Sequence, residues 1–101
     1  MERTLEGIRD EIERMDRALI ELLSCRLRVA LDIETIKRER CLPIRSPERE
    51  QNELAMVLAY AQTLEPTLDG EFLTQLMTLI FAMSVAQQEL QRVRATEYAN
   101  K

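Results

Sequence analysis

Arg26 and Lys37 are the residues through which this chain could act on a small molecule. They are 11 residues apart on one continuous helical pattern. At ~100° per residue that is three turns plus about 20°, so the two cations face nearly the same way. They stand about 16 Å apart along the axis, and two long side chains leaning together reach the two ends of one small anionic ligand. Ser84 and Gln88, four apart and in one row with Met77 and Phe81, add a polar patch at the edge of a core. Each of these residues also has a plainer reading. Arg26 could pair with Glu53 or Glu89, or lay its stem along a core with its head in water, and Ser84 and Gln88 could be boundary residues. The usual reactive side chains are scarce: the chain has no His, and Cys25 and Cys41 give neither a disulfide framework nor metal-ligand spacing.

The element that must carry Arg26 and Lys37 is Leu5 to Glu39, with one early glycine and no proline. Steps of three and four from Leu5 give Leu5, Ile8, Ile12, Met15, Leu19, Leu22, Arg26, Val29, Ile33 and Ile36, apolar everywhere except Arg26. One uninterrupted helix follows, roughly 50 Å long, against about 30 Å for the diameter of a small domain. Its stripe must bury against more than its own short remainder, most simply a second copy. Arg9 lies about 25 Å from Arg26 along the axis and is rotated by roughly 100°, so it cannot join Arg26 and Lys37 from the same chain. In an antiparallel pair about a two-fold axis, Arg9 of the partner could.

Pro43 stops the first helix near Arg40. Ser46 as N-cap and Pro47 at the first position start a second over about 47–63, with Glu48 and Glu50 complementing its first-turn amides. Its inner face reads Leu54, Val57, Leu58, Ala61 and Leu64. Pro66 marks the break, and Asp69 caps a third helix over about 70–94 with a core stripe of Phe72, Leu73, Leu76, Leu79, Ile80, Met83 and Leu90. Met1 to Thr4 should fray and Ala95 to Lys101 should form a loose tail.

Length and composition fit one domain, 1–101, of all-α class. The net charge of −4 with interspersed signs argues against a nucleic-acid surface. There is no apolar run of 18 residues and no leader pattern, so a cytoplasmic protein with reduced cysteines is expected, without membrane contact.

Taken together, the chain resembles the all-helical class of chorismate mutases over essentially its whole length. The motifs that carry the likeness are Ile8-Arg9 and Met15-Asp16, Lys37 closing the first helix, Pro43-Ile44-Arg45 before Pro47-Glu48-Arg49-Glu50, and Ser84-Val85 with Gln88. The resemblance implies three-helix protomers interlaced in a homodimer, and rearrangement of chorismate to prephenate without metal or cofactor. By matched position, Arg26 and Arg9 of the partner subunit would hold the two carboxylates of the substrate. Lys37 and Gln88 would address its ether oxygen, Glu50 its ring hydroxyl and Ser84 a carboxylate, and Arg49 would add positive field. Val29, Ile33, Ile80, Phe81 and Val85 would form apolar walls. One position departs from the pattern: many members carry an acid where this chain has Ser46, whose backbone amide would then face the substrate hydroxyl.

Two other readings keep the fold. Isochorismate pyruvate lyases and 4-amino-4-deoxychorismate mutases resemble this class too; Arg49-Glu50 speaks against the lyase, and nothing in the sequence separates the amino substrate from the hydroxyl one. A third reading is a non-catalytic helical dimerisation module in which Arg26 and Lys37 serve only salt bridges.

Overall fold

The computed structural model describes residues 3–65 and 67–100. Three helices follow in order, α1 (Leu5–Glu39), α2 (Pro47–Leu64) and α3 (Gly70–Ala99), and the described residues contain no strand. The all-α expectation holds. Pro66, expected to break the chain before α3, lies outside the described residues, as do Met1, Glu2 and Lys101.

The ends of the helices depart from the sequence reading in instructive ways. Thr4 does not fray: its hydroxyl accepts from the Gly7 amide at 3.0 Å and caps α1. At the other end α1 closes in a Schellman motif, the Leu42 amide donating to Lys37 O at 2.8 Å and the Cys41 amide to Arg38 O at 3.1 Å. Cys41 therefore adopts a left-handed φ of 57°, where glycine is the usual occupant. This turn ends the helix before proline alone would require it, although Pro43 prevents any continuation. Ser46 occupies the N-cap position of α2, but its hydroxyl makes no capping bond. Asp69 does cap α3, accepting from Glu71 N at 2.8 Å and Phe72 N at 3.3 Å. The expected loose tail is helical through Ala99, with Asn100 as C-cap.

α3 packs against both other helices, whereas α1 and α2 do not pack against each other. The row of α3 that meets α1 runs through Phe81, Ser84 and Gln88, all buried, and then Gln91 and Arg92. This is the row that the sequence placed at a core edge; the stripe expected to be core leaves Phe72, Leu76 and Leu79 exposed. The same holds for α1. Leu5, Ile12, Met15, Leu19, Leu22, Val29, Ile33 and Ile36 are exposed, and the only buried apolar residues among those described are Ala30, Ala61 and Phe81. The chain spans 64 × 28 × 17 Å with a radius of gyration of 18.0 Å, against about 13 Å for a compact domain of this length. A chain this extended leaves its apolar stripes without internal partners, and contiguous apolar surface of that kind marks an interface.

What joins α1 to α3 is largely polar. Glu34 is fully buried and its Oε2 accepts from Arg92 Nε at 3.0 Å and Arg38 Nε at 3.2 Å, while Oε1 accepts from Gln91 Nε2 at 2.7 Å. Burial alone would raise the Glu34 pKa. The hydrogen bonds from Gln91 and Arg92 and the charges of Arg38 and Arg92 outweigh it and hold the carboxyl below the ordinary 4.5. Arg92 also donates through Nη1 to Leu42 O at 3.1 Å, tying the turn after α1 to α3.

Candidate active site

Because α1 and α2 stand apart across α3, a cavity of about 450 Å³ opens between them, roofed by the connection that precedes α2. α1 contributes Arg26, Val29, Ala30, Ile33 and Lys37; the connection and α2 contribute Ile44, Ser46, Arg49, Glu50 and Glu53; α3 contributes Phe81, Ser84, Val85 and Gln88. Seven of the eight polar residues singled out from the sequence, Arg26, Lys37, Ser46, Arg49, Glu50, Ser84 and Gln88, thus share one chamber. Of the expected apolar walls, Val29, Ile33, Phe81 and Val85 line it and Ile80 does not. Arg9 is exposed on α1 and is absent from the lining.

The basic groups are held by neutral or half-solvated partners that leave donors free. Arg26 donates through Nη1 to Ser84 Oγ at 2.9 Å and through Nη2 to Glu53 Oε1 at 3.2 Å, and its Cζ lies 5.6 Å from the centroid of the Phe81 ring. The ion pair with Glu53 is one of the two anticipated from sequence, so Arg26 both pairs internally and faces the cavity. Ser84 in turn donates to Ile80 O at 3.0 Å, which commits its proton and leaves its oxygen to fix Arg26. Lys37 Nζ donates to Ile44 O at 2.9 Å, using one of three protons. Gln88, with 7% exposure, donates through Nε2 to Ala30 O at 2.7 Å and retains its second amide proton. Glu50 Oε1 accepts from Arg45 Nη2 at 3.3 Å at the cavity rim.

Three cationic and two anionic side chains line the chamber, a net charge of +1 from this chain alone. Among the described residues no group of three or more His, Cys, Asp or Glu is placed to hold a metal ion. The arrangement is therefore one of fixed hydrogen-bond donors around an apolar-walled space, suited to gripping an anion and to stabilising negative charge at one atom. The sequence missed Glu34 altogether and gave Glu53 only as a salt-bridge partner. A single acid in a helix full of charges carries no mark of burial, and Glu34's partners on α3 lie 57 and 58 residues away.

A three-helix chain with an anion-gripping chamber between its two outer helices defines an all-helical site of restricted type. The chain belongs to the chorismate mutase type II family, whose model matches residues 8–89. The form II chorismate mutase of Thermus thermophilus superposes with a TM-score of 0.76 at 30% sequence identity, covering 84% of this chain and 93% of that one. The T-protein of Enterobacter agglomerans is 36% identical over 75 residues, covering 72% of this chain and 20% of that protein. The bifunctional chorismate mutase/prephenate dehydratase of Buchnera aphidicola is 35% identical over 81 residues, covering 80% of this chain and 20% of that protein. The chain thus spans about a fifth of the length of these two relatives. No helix of the described residues is long and apolar enough to cross a membrane.

Proposed function

We propose that this chain is a chorismate mutase, rearranging chorismate to prephenate at a site shared between two copies in a homodimer. The observation that carries this reading is the convergence of Arg26, Lys37, Arg49, Glu50, Ser84 and Gln88 on one cavity in a member of this family. The reaction is unimolecular: a C–O bond breaks while a C–C bond forms between the ends of the same molecule. It requires a folded conformer and stabilised charge on the ether oxygen, and no proton transfer.

Arg26 grips one substrate carboxylate and Arg9 of the partner subunit the other, so that the enolpyruvyl arm lies over the ring. With that second arginine the lining charge becomes +2, equal and opposite to the ligand. The free protons of Lys37 and Gln88 meet the ether oxygen. Each is already oriented by a backbone carbonyl, at Ile44 and Ala30, so little reorganisation accompanies charge development. Glu50 accepts from the ring hydroxyl, near the amide and unspent hydroxyl of Ser46. Ser84 steadies Arg26, and meets a carboxylate directly when its proton turns from Ile80. Arg49 adds positive field.

Dimerisation is supported by the exposed stripe of α1 and by the exposure of Arg9 on the same helix. We also place the activity in the cytoplasm, in keeping with two free, exposed cysteines. The test is a side-by-side assay of purified protein on chorismate, 4-amino-4-deoxychorismate and isochorismate. Loss of the ring-diene absorbance of chorismate with formation of prephenate is expected; turnover of another substrate with none of chorismate would reassign the reaction.

A further inference from the structure

Among the lining residues, Glu53 is the one whose charge directly opposes the grip just described. Glu50 meets Arg45 at the rim, but Glu53 spends its carboxylate on Arg26 itself. Both terminal nitrogens of that guanidinium are then engaged, Nη1 by Ser84 and Nη2 by Glu53. A carboxylate arriving in bidentate fashion at these two nitrogens has either to displace Glu53 or to share Nη2 with it. Sharing leaves two anions on one cation, about 5 Å apart. Displacement is open to Glu53, because its side chain is 37% exposed and can turn into water.

We propose that Glu53 is an internal competitor for Arg26, holding the guanidinium before substrate binds and lowering affinity for every ligand carboxylate that reaches it. The inference rests on the anion-gripping role of Arg26 in the proposed function. Its consequence is selectivity by charge. A dianion, anchored a second time by Arg9 of the partner subunit, offsets the displacement of Glu53; a monocarboxylate has no second anchor with which to do so. Because Arg26 holds the same carboxylate in ground state and transition state, Glu53 acts on KM and not on kcat.

The experiment compares the wild-type protein with Glu53→Gln and Glu53→Leu by initial rates on chorismate. Glu53→Gln keeps an acceptor for Nη2 and removes only the charge. A like charge at this range in a half-solvated site corresponds to a fall in KM of about tenfold, or roughly 1.4 kcal/mol, with kcat within about twofold. Glu53→Leu should move KM in the same direction. An unchanged or raised KM in Glu53→Gln overturns the proposal, and a raised KM in Glu53→Leu assigns Glu53 to orienting Arg26 instead. Calorimetric titration with a stable bicyclic dicarboxylate that mimics the cyclic transition state separates this inference from the assigned reaction. Tighter binding to Glu53→Gln upholds the competitor whether or not chorismate is turned over, and equal or weaker binding overturns it.

Discussion

Replacing Glu34 by Gln tests how a chain with so small an apolar core holds α1 and α3 together. The carboxylate is 0% exposed and answers two guanidiniums and one amide. The amide that replaces it has one oxygen for these donors and turns its own N–H₂ toward the others. Breaking a buried pair by removing one partner costs about 3–5 kcal/mol, because the surviving charge stays buried. Here the cost comes down to ~3 kcal/mol, since the Arg38 and Arg92 side chains are 36% and 28% exposed and partly reach water. For a domain of this size that is a fall in Tm of roughly 10–20 °C, measured by circular dichroism at one fixed protein concentration because association also contributes. The pH dependence follows from the direction of the shift. The folded pKa of Glu34 is depressed, so its contribution is complete above the unfolded value near 4.5 and is lost as pH falls through the lower folded value. The gap between wild type and Glu34→Gln should therefore be constant at neutral pH and close below about pH 4.5. A double replacement, Glu34→Leu with Arg92→Leu, should recover part of the loss. Equal melting of wild type and Glu34→Gln at pH 7, or a gap that widens in acid, would refute the assignment of this pair as the α1–α3 clamp.

Further predictions concern the site and the turn. Lys37→Ala should lower kcat by about 100- to 1000-fold with little change in Tm, since its partner at Ile44 is a surface-loop carbonyl. Gln88→Glu should be nearly inactive at pH 7 and regain activity in acid, where the protonated carboxyl again donates; a flat pH profile would remove Gln88 from contact with the ether oxygen. Arg9→Ala and Arg26→Ala chains should each be inactive alone, yet mixed dimers should recover part of the wild-type rate by rebuilding one intact site. No recovery in verified heterodimers would exclude a shared site. Cys41→Gly should raise stability by ~0.5–1 kcal/mol in chemical denaturation, because the left-handed φ no longer opposes a Cβ.

The three helices and their order were legible because each rests on local rules. The α1 stripe repeats every three to four residues, Ser46-Pro47 and Asp69 announce starts, and Pro43 forbids continuation. The facing of Arg26 and Lys37 needed only the helical angle, and both do line one chamber. The ends were less legible. Ala95–Ala99 has ordinary helix formers and no stop signal before Asn100, so the helix runs on beyond its last strongly apolar turn. The Ser46 hydroxyl occupies the right position for a cap, but whether it bonds depends on a backbone angle set by the preceding loop.

By itself, then, the sequence determined helix content, the register of the basic groups on α1, and the need for a partner along a stripe too long for its own chain to cover. Tertiary structure decided which row of α3 meets α1, and that this row is polar at its centre. It also decided that Glu34 is buried, that Glu53 and not Glu89 takes Arg26, and that backbone carbonyls of Ala30 and Ile44 orient Gln88 and Lys37. The physical reason is one of range. Periodicity and capping act within a few residues, whereas pairing a buried charge across about 58 positions depends on how two helices rotate against each other, which no local pattern encodes.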